Sequence, residues 1–235
     1  MYGEEVWGDI LNKIYNENCM KTLDRADVKY DYVFCVPPDF EELGLDPGKD
    51  KHKYLDFLIG VFGSFEPRKN VVTIAITDRK YKGGIIDKHR NIIDIMGCLG
   101  YKYISQKIWC KSFKQNLYRL NYSFVMSFTK GKCRQNHYTE FEKDLWQAVV
   151  YKHMGYNYAI ALDVVNNCVA NFTNKDDVVY DPFMGSGTTA MSCIWLDRKY
   201  IGSEISKEYC KIAADRVKRS NDLDAIGMKK IITDI

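Results

Sequence analysis

The fold is decided by the stretch VVYDPFMGSGTTAMSCIWLDRKYIGSEIS, residues 178–206. It begins with a short apolar run that ends in Asp181 and continues into a glycine-rich turn. Thr188 opens a segment of helical composition, and YIGSE then reads as a second strand, which ends in Glu204. A strand, a tight turn, a helix and a second strand form a βαβ unit, which is typical of a parallel sheet covered by helices.

The chemistry of this unit is that of a nucleoside site. Gly185 and Gly187 allow the backbone to approach a ligand closely, and Glu204 at the tip of the next strand is placed to accept hydrogen bonds from ribose hydroxyls. The turn has neither the GxGxxG fingerprint of dinucleotide sites nor the Gly-Lys-Ser/Thr of a P-loop, which disfavours NAD and ATP. The alternative is a tight turn with a purely structural role.

Strands and helices alternate through the rest of the chain. Hydrophobic periodicity predicts strands at 31–35, 70–77, 101–109, 121–128, 177–181 and 200–204, and helices at 53–65, at 89–100, from about 187 and from about 206. This order predicts an α/β fold with a mostly parallel sheet and helices on both faces.

Composition limits the class of protein. With 235 residues, 46% of them hydrophobic, the chain can form one large domain. Its eight cysteines form no CxxC pair, so we expect neither a zinc site nor a disulfide framework, and no other metal. The N-terminal sequence lacks the pattern of a signal peptide, and no apolar run is long enough to span a membrane. We therefore expect an intracellular, cytoplasmic protein in a reducing compartment.

The segment CVPPDF, residues 35–40, follows the first predicted strand. Two consecutive prolines are excluded from a helix interior and from a central strand. The segment is therefore either a simple end to the strand or the floor of an active site.

Two motifs carry a resemblance to a known family. DPFMGSGTT, residues 181–189, followed by IGSEISKEYCKIAADR, residues 201–216, closely resembles the S-adenosylmethionine-binding half of the N4-cytosine/N6-adenine DNA methyltransferases. The resemblance implies a Rossmann-like class I methyltransferase fold with a seven-stranded sheet. Because CVPPDF precedes DPFMGSGTT, the order resembles the circularly permuted β class. The resemblance implies S-adenosylmethionine as cofactor and double-stranded DNA with a flipped base as substrate.

The resemblance also assigns residues to the cofactor. In the family an acid before the catalytic motif binds the cofactor adenine amine, and Asn18 takes its place with a side-chain carbonyl that can still accept a hydrogen bond. The implied cofactor residues are Asn18, Asp181, Pro182, Phe183, Gly185, Ser186, Gly187, Thr188 and Glu204.

The catalytic tetrapeptide departs from the family pattern. The family has a polar residue, Pro, Pro and an aromatic residue, whereas this chain has Val36, Pro37, Pro38 and Asp39. The Pro37 carbonyl remains as an acceptor for the exocyclic amine, Asp39 is a second acceptor, and Phe40 is one place late for stacking on the base. Two alternatives remain open: a repositioned, working site, or a site with impaired or different chemistry.

Nucleic-acid contacts are predicted from charge. The net charge is only +3, but basic residues cluster in two segments. Each cluster alone is either ordinary surface or a phosphate-binding patch. The candidates are Arg79, Lys80 and Lys82 in the first segment and Lys130, Lys132 and Arg134 in the second.

The predicted organisation is a single methyltransferase domain over residues 1–235. It comprises a catalytic half at 12–128, a recognition or linker segment at 129–146, a cofactor half at 147–219 and a tail at 220–235. The middle segment is too short for an independent recognition domain, so recognition is either loose or supplied by a second subunit in a homo- or heterodimer. The functional hypotheses are a DNA amino-methyltransferase, a catalytically silent subunit of the same fold, and a methyltransferase with another acceptor.

Overall fold

The structure is a computed structural model of the chain and describes residues 10–25, 27–111, 120–148 and 160–225, with side chains described up to 220. Parts of the predicted cofactor half, residues 149–159, and of the predicted tail, residues 226–235, lie outside the described residues.

Ten strands are present in the described residues. They are β1 (Lys13–Tyr15), β2 (Tyr32–Cys35), β3 (Val71–Ile76), β4 (Arg79–Tyr81), β5 (Gly84–Ile86), β6 (Lys102–Cys110), β7 (Tyr122–Thr129), β8 (Leu145–Gln147), β9 (Val178–Asp181) and β10 (Lys199–Ser203). Eight of them form one sheet in the order β1-β10-β9-β2-β3-β7-β6-β8, and β4 and β5 form a separate hairpin. Within the large sheet only the two pairings of β7 are antiparallel.

Helices cover both faces of this sheet. They are α1 (Cys19–Leu23), α2 (Lys51–Gly63), α3 (Lys88–Cys98), α4 (Thr139–Glu142), α5 (Leu162–Phe172), α6 (Thr188–Trp195) and α7 (Lys207–Ala225), together with a short 3-10 helix, Glu41–Leu43. Alternate residues of a strand point to opposite faces. In β2, Val33 belongs to the core beneath α2 and α3, whereas Phe34 belongs to the core beneath α5 and α6. The predicted α/β architecture is confirmed.

The predicted elements are all present, with boundaries within two residues of the predicted ones. The predicted strand count of seven is wrong, because β8 adds an eighth strand at the sheet edge. This strand has three residues and pairs with the end of β6 at Ile108 to Cys110. A strand this short has too few residues to show an alternating pattern, and it covers part of the otherwise open edge of β6.

The topology brings several loops to one edge of the sheet. β1, β10, β9, β2 and β3 run parallel, so their carboxyl ends lie at the same edge. Loops at the carboxyl ends of such strands form the binding crevice of open α/β sheets. None of the described helices is long and apolar enough to cross a membrane.

Candidate active site

The glycine-rich loop, residues 182–187, is organised by the carboxylate of Asp181 at the end of β9. One oxygen accepts the Phe183 N–H at 2.9 Å, and the other accepts the Thr189 hydroxyl at 2.5 Å. The residue is 3% exposed. Burial, with a smaller contribution from the negative charge of Glu204, raises the pKa of Asp181 to about 7. Asp181 therefore ties the loop to the first turn of α6.

Gly187 is required at the end of this loop. Its φ of +84° is in the left-handed region, and an added Cβ would lie 2.9 Å from Ala213 Cβ in α7. The helix therefore packs directly against the loop backbone, which only glycine permits.

Arg216, which sequence reasoning missed, also holds this loop. Its guanidinium donates to the carbonyl oxygen of Ser186 at 2.6 Å and to its hydroxyl at 2.8 Å. It lies one helical turn beyond Ala213, on the same face of α7, and this spacing in the motif IAADR was the available signal. Ser186 and Thr188 are both buried, so they support the loop from beneath.

Glu204 follows β10 and faces the same loop. Its carboxylate accepts the Gly185 N–H at 2.9 Å and the Ser206 N–H at 2.8 Å. A carboxylate offers about four lone-pair sites, so two remain for other donors. The half-buried position and the remaining acceptor capacity fit the two hydroxyls of a ribose.

Asn18 lies in the loop that follows β1. The register pairs Tyr15 with Ser203, so this loop lies beside Glu204, and Asn16 donates to the Glu204 carbonyl at 2.9 Å. The side-chain oxygen of Asn18 accepts the Met20 N–H at 3.0 Å and caps α1. The Cys19 thiol, a weak donor that an amine can displace, also lies 3.8 Å from this oxygen.

The remaining cofactor candidates, Pro182 and Phe183, form the start of the loop. Pro182 is buried, and the half-buried Phe183 lies 5.9 Å from Phe57 of α2 between ring centroids. The structure thus brings every predicted cofactor residue to the carboxyl edge of β1, β10 and β9.

The proline loop, residues 36–40, lies next to the glycine-rich loop. β2 and β9 are adjacent, with Val33 opposite Tyr180, so the two loops leave neighbouring strands. Pro37 is buried, and Tyr54 of α2 donates its hydroxyl to the Pro38 carbonyl at 3.0 Å. Among the described residues, none donates a hydrogen bond to the Pro37 carbonyl.

Phe40 and Val36 pack against neighbouring side chains and do not project toward a bound base. Phe40 is 1% exposed, and its ring stacks on Tyr54 at a centroid distance of 4.1 Å. The half-buried Val36 packs against the core beneath α5 and α6. In this arrangement Phe40 offers no open face for a base to stack on.

Asp39 faces the β4–β5 hairpin. Its carboxylate accepts the Phe40 N–H at 2.8 Å and forms ion pairs with Lys88 at 3.0 Å and Arg79 at 3.5 Å. The predicted DNA-binding residue Arg79 is thus engaged with the proline loop.

A buried acid and a histidine meet after β3, although no local sequence pattern indicates this pair. Asp78 is 5% exposed and lies 2.6 Å from Nδ1 of His89. The His89 ring stacks on Phe124 at 4.0 Å. In the described part of the chain, no group of three or more His, Cys, Asp or Glu side chains is arranged to hold a metal ion.

The two basic clusters lie at opposite edges of the sheet. Lys80 and Lys82 belong to the hairpin that follows the carboxyl end of β3. The second cluster, Lys130, Lys132 and Arg134, follows β7, which runs antiparallel to β3 and pairs its last residue with Val71. That end lies at the amino edge of the parallel strands, so the structure does not bring the second cluster to the site.

The sheet with helices on both faces is that of a class I methyltransferase fold. A family profile described as DNA methylase, N6_N4_Mtase, matches residues 30–215. The chain belongs to this family of N6/N4 DNA methylases. The family identified from the sequence is confirmed.

Curated relatives match only in part. The orphan methyltransferase M.BamHII of Bacillus amyloliquefaciens is 58% identical over 50 residues, which are 21% of this chain and 19% of that protein. The type II methyltransferase M2.MboI of Moraxella bovis is 28% identical over 120 residues, 51% of this chain and 43% of that protein. The chain therefore spans less than half the length of these two relatives.

Solved structures share the fold over most of the chain. The cytosine-N4-specific PvuII DNA methyltransferase has a TM-score of 0.76 at 16% identity, covering 92% of this chain and 94% of that one. A DNA modification methylase of Thermus thermophilus, solved in complex with S-adenosylmethionine, has a TM-score of 0.72 at 19% identity, covering 88% and 93%. At this identity the likeness shows the fold.

Proposed function

We propose that this chain transfers the methyl group of S-adenosylmethionine to the exocyclic amine of adenine (N6) or cytosine (N4) in DNA. The observation that carries the proposal is the juxtaposition of two loops on the neighbouring strands β9 and β2. One is the glycine-rich loop with Glu204, and the other contains Pro37 and Pro38. A nucleoside cofactor and an amine acceptor bound at these loops would meet at one edge of the sheet.

The cofactor, when bound, supplies a methyl group on a positively charged sulfur. Glu204 accepts hydrogen bonds from the ribose hydroxyls while it keeps the Gly185 N–H in place. Asn18 accepts a hydrogen bond from the adenine amine. Asp181, Gly187 and the other loop residues hold the turn in the shape that this binding requires.

The acceptor base must leave the duplex to reach the proline loop. The Pro37 carbonyl, to which no described residue donates, accepts an N–H of the amine and so orients the nitrogen lone pair. A nitrogen–carbon bond forms as the sulfur–carbon bond breaks, and the amine then loses a proton to solvent. Tyr54, which donates to the Pro38 carbonyl, keeps the loop rigid during this step.

The hairpin side of the site is the proposed DNA surface. Lys82 is exposed at the turn of the β4–β5 hairpin and Lys80 is half-buried beside it. Cations at these positions suit the phosphates of double-stranded DNA. The proposal includes an intracellular location, where DNA is available, and leaves room for a homo- or heterodimer that completes sequence recognition.

The test is methyl transfer by the purified protein. Labelled S-adenosylmethionine and duplex DNA of mixed sequence should yield labelled N6-methyladenine or N4-methylcytosine, and Glu204→Ala should reduce the yield. Cofactor binding by calorimetry together with unlabelled DNA under every condition would contradict the proposal.

A second candidate is a silent subunit that binds the cofactor and DNA in support of an active partner. It is favoured by the proline loop, where Phe40 is buried against Tyr54 and Asp39 is paired with Lys88. Neither side chain is free to bind a base in this arrangement. Transfer that appears only when host extract is added, and that survives Glu204→Ala in this chain, would support this candidate over the first.

A further inference from the structure

The Asp39 carboxylate is the centre of an ion-pair cluster. Lys88 Nζ lies 3.0 Å from one oxygen and Arg79 lies 3.5 Å from the other, while the Phe40 N–H donates to the first at 2.8 Å. Arg79 also pairs with Glu41, the next acid along the chain. Asp39, at the fourth position of the tetrapeptide, thus forms ion pairs and does not project into an open recess.

Lys88 is the partner that most needs this carboxylate. Its side chain is 3% exposed, and burial lowers its pKa whereas the negative charge of Asp39 raises it. A buried ammonium group without a counter-charge is strongly destabilising. Removing the Asp39 charge should therefore move Lys88, and with it the start of α3.

Arg79 and Lys88 flank the basic hairpin, defined as residues 79–86. Arg79 is the first residue of β4, and Lys88 follows β5 by two residues. Lys82 and Gly83 form its two-residue turn with φ of 46° and 80°, the left-handed pair of a type I′ turn. The Asp39 carboxylate therefore pairs with cations on both sides of the hairpin, and Glu41 also pairs with the first of them.

A second contact ties the hairpin to the loop that follows the prolines. The Tyr81 hydroxyl donates to Asp46 at 3.4 Å and lies close enough to Gly48 that a Cβ there would be 2.8 Å away. The hairpin thus rests on residues 46–48 as well as on Asp39.

We infer that Asp39 is a positioning residue, which fixes the basic hairpin against the proline loop. DNA phosphates bound by the hairpin then place the target base at the acceptor site. This part of the inference rests on the proposed function, whereas the attachment of the hairpin does not. The direct alternative is that Asp39 accepts a hydrogen bond from the target amine.

Hydrogen exchange tests the attachment without reference to activity. The variants are Asp39→Asn, Lys88→Met and the double variant, with Lys69→Met as a matched control because Lys69 pairs with Asp177 at the opposite edge of the sheet. Amides of residues 80–86 should exchange about tenfold faster in both single variants. This ratio corresponds to a loss of about 1.4 kcal/mol in the free energy of opening the hairpin. The double variant should exchange no faster than the worse single variant, since both changes break one interaction. Unchanged hairpin exchange in Asp39→Asn, or fully additive effects, would overturn the inference.

Kinetics separate positioning from direct contact. Asp39→Asn and Lys88→Met should each raise KM for DNA by about tenfold, while kcat at saturating DNA changes by less than about threefold. A large loss of kcat in Asp39→Asn alone would mean that Asp39 contacts the base. If no DNA is methylated, the proposed function fails, and hydrogen exchange still decides whether Asp39 holds the hairpin.

Discussion

At the scale of single residues, Glu204 holds the glycine-rich loop and is the proposed ribose ligand. Both of its oxygens already accept a backbone N–H, from Gly185 and Ser206, and each keeps capacity for a further donor. Removing the carboxylate should therefore both remove the ribose contacts and loosen the loop.

Glu204→Ala should weaken S-adenosylmethionine binding by about 1.5 to 3 kcal/mol, the range for hydrogen bonds to a charged group. Isothermal calorimetry measures the change. Glu208→Ala is the control, because Glu208 is exposed in the first turn of α7 and should leave the affinity unaltered. Equal affinities for Glu204→Ala and the parent protein would remove Glu204 from the cofactor site.

Asp181 should make stability depend on pH. Burial raises its pKa to about 7 in the folded chain, above the unfolded value of about 3.9. As pH rises through this interval the unfolded state loses its proton first, so the free energy of unfolding falls from about pH 4 to about pH 7. Asp181→Asn should flatten this part of the profile in denaturant titrations. The exposed Asp94→Asn should retain the parent slope, and a parent-like slope in Asp181→Asn would contradict the assignment.

At the scale of elements, the packing of α7 on the glycine-rich loop shapes the proposed cofactor site. Ala213 meets Gly187, and Arg216 bonds to Ser186 one turn later. The helix therefore determines the loop conformation although it need not touch the cofactor.

Gly187→Ala should destabilise the protein by about 1 to 3 kcal/mol, the usual cost of overpacking, because the new Cβ would press on α7 at a positive φ. Thermal unfolding and cofactor calorimetry should both report the change. Gly60→Ala is the control: a Cβ at this exposed position in α2 would meet nothing within 4 Å. That variant should gain about 0.5 to 1 kcal/mol, since alanine favours helix over glycine. Normal stability and affinity in Gly187→Ala would refute the proposed packing constraint.

At the scale of the whole molecule, the sheet separates the two basic clusters. Lys82 lies with the hairpin beside the site, whereas Lys132 lies beyond the end of β7 at the opposite edge. A duplex bound over the proline loop should contact the first cluster and not the second.

Lys82→Gln should weaken DNA binding and reduce the slope of log affinity against log salt by about 1, the value for one lost phosphate contact. Lys132→Gln, with the same loss of charge, should leave the slope unchanged. Fluorescence anisotropy over a range of salt concentrations measures both. The reverse pattern would place DNA at the other edge of the sheet.

Much of this architecture is predictable from the sequence because buried strands and the glycine-rich turn carry local signals. The eight-residue β7 and the motif DPFMGSGTT are long enough to be recognised from the sequence alone. β8, by contrast, has three residues and depends on its pairing with β6. The Asp39–Lys88 pair joins residues far apart in the chain, and the Asp78–His89 pair is brought together across the β4–β5 hairpin. No local pattern indicates either contact. The separation of the basic clusters likewise depends on the direction of β7 in the sheet, and amino-acid composition does not indicate this direction.

The central claim is that the paired loops methylate an exocyclic amine in DNA. Nucleoside mass spectrometry of DNA from a methylation-free host that expresses this chain tests it most directly, with Glu204→Ala expressed to the same level as control. We predict N6-methyladenine or N4-methylcytosine in the first DNA and a much lower level in the second. Absence of both nucleosides, with the protein shown to be folded and to bind S-adenosylmethionine, would contradict the claim and favour the silent subunit.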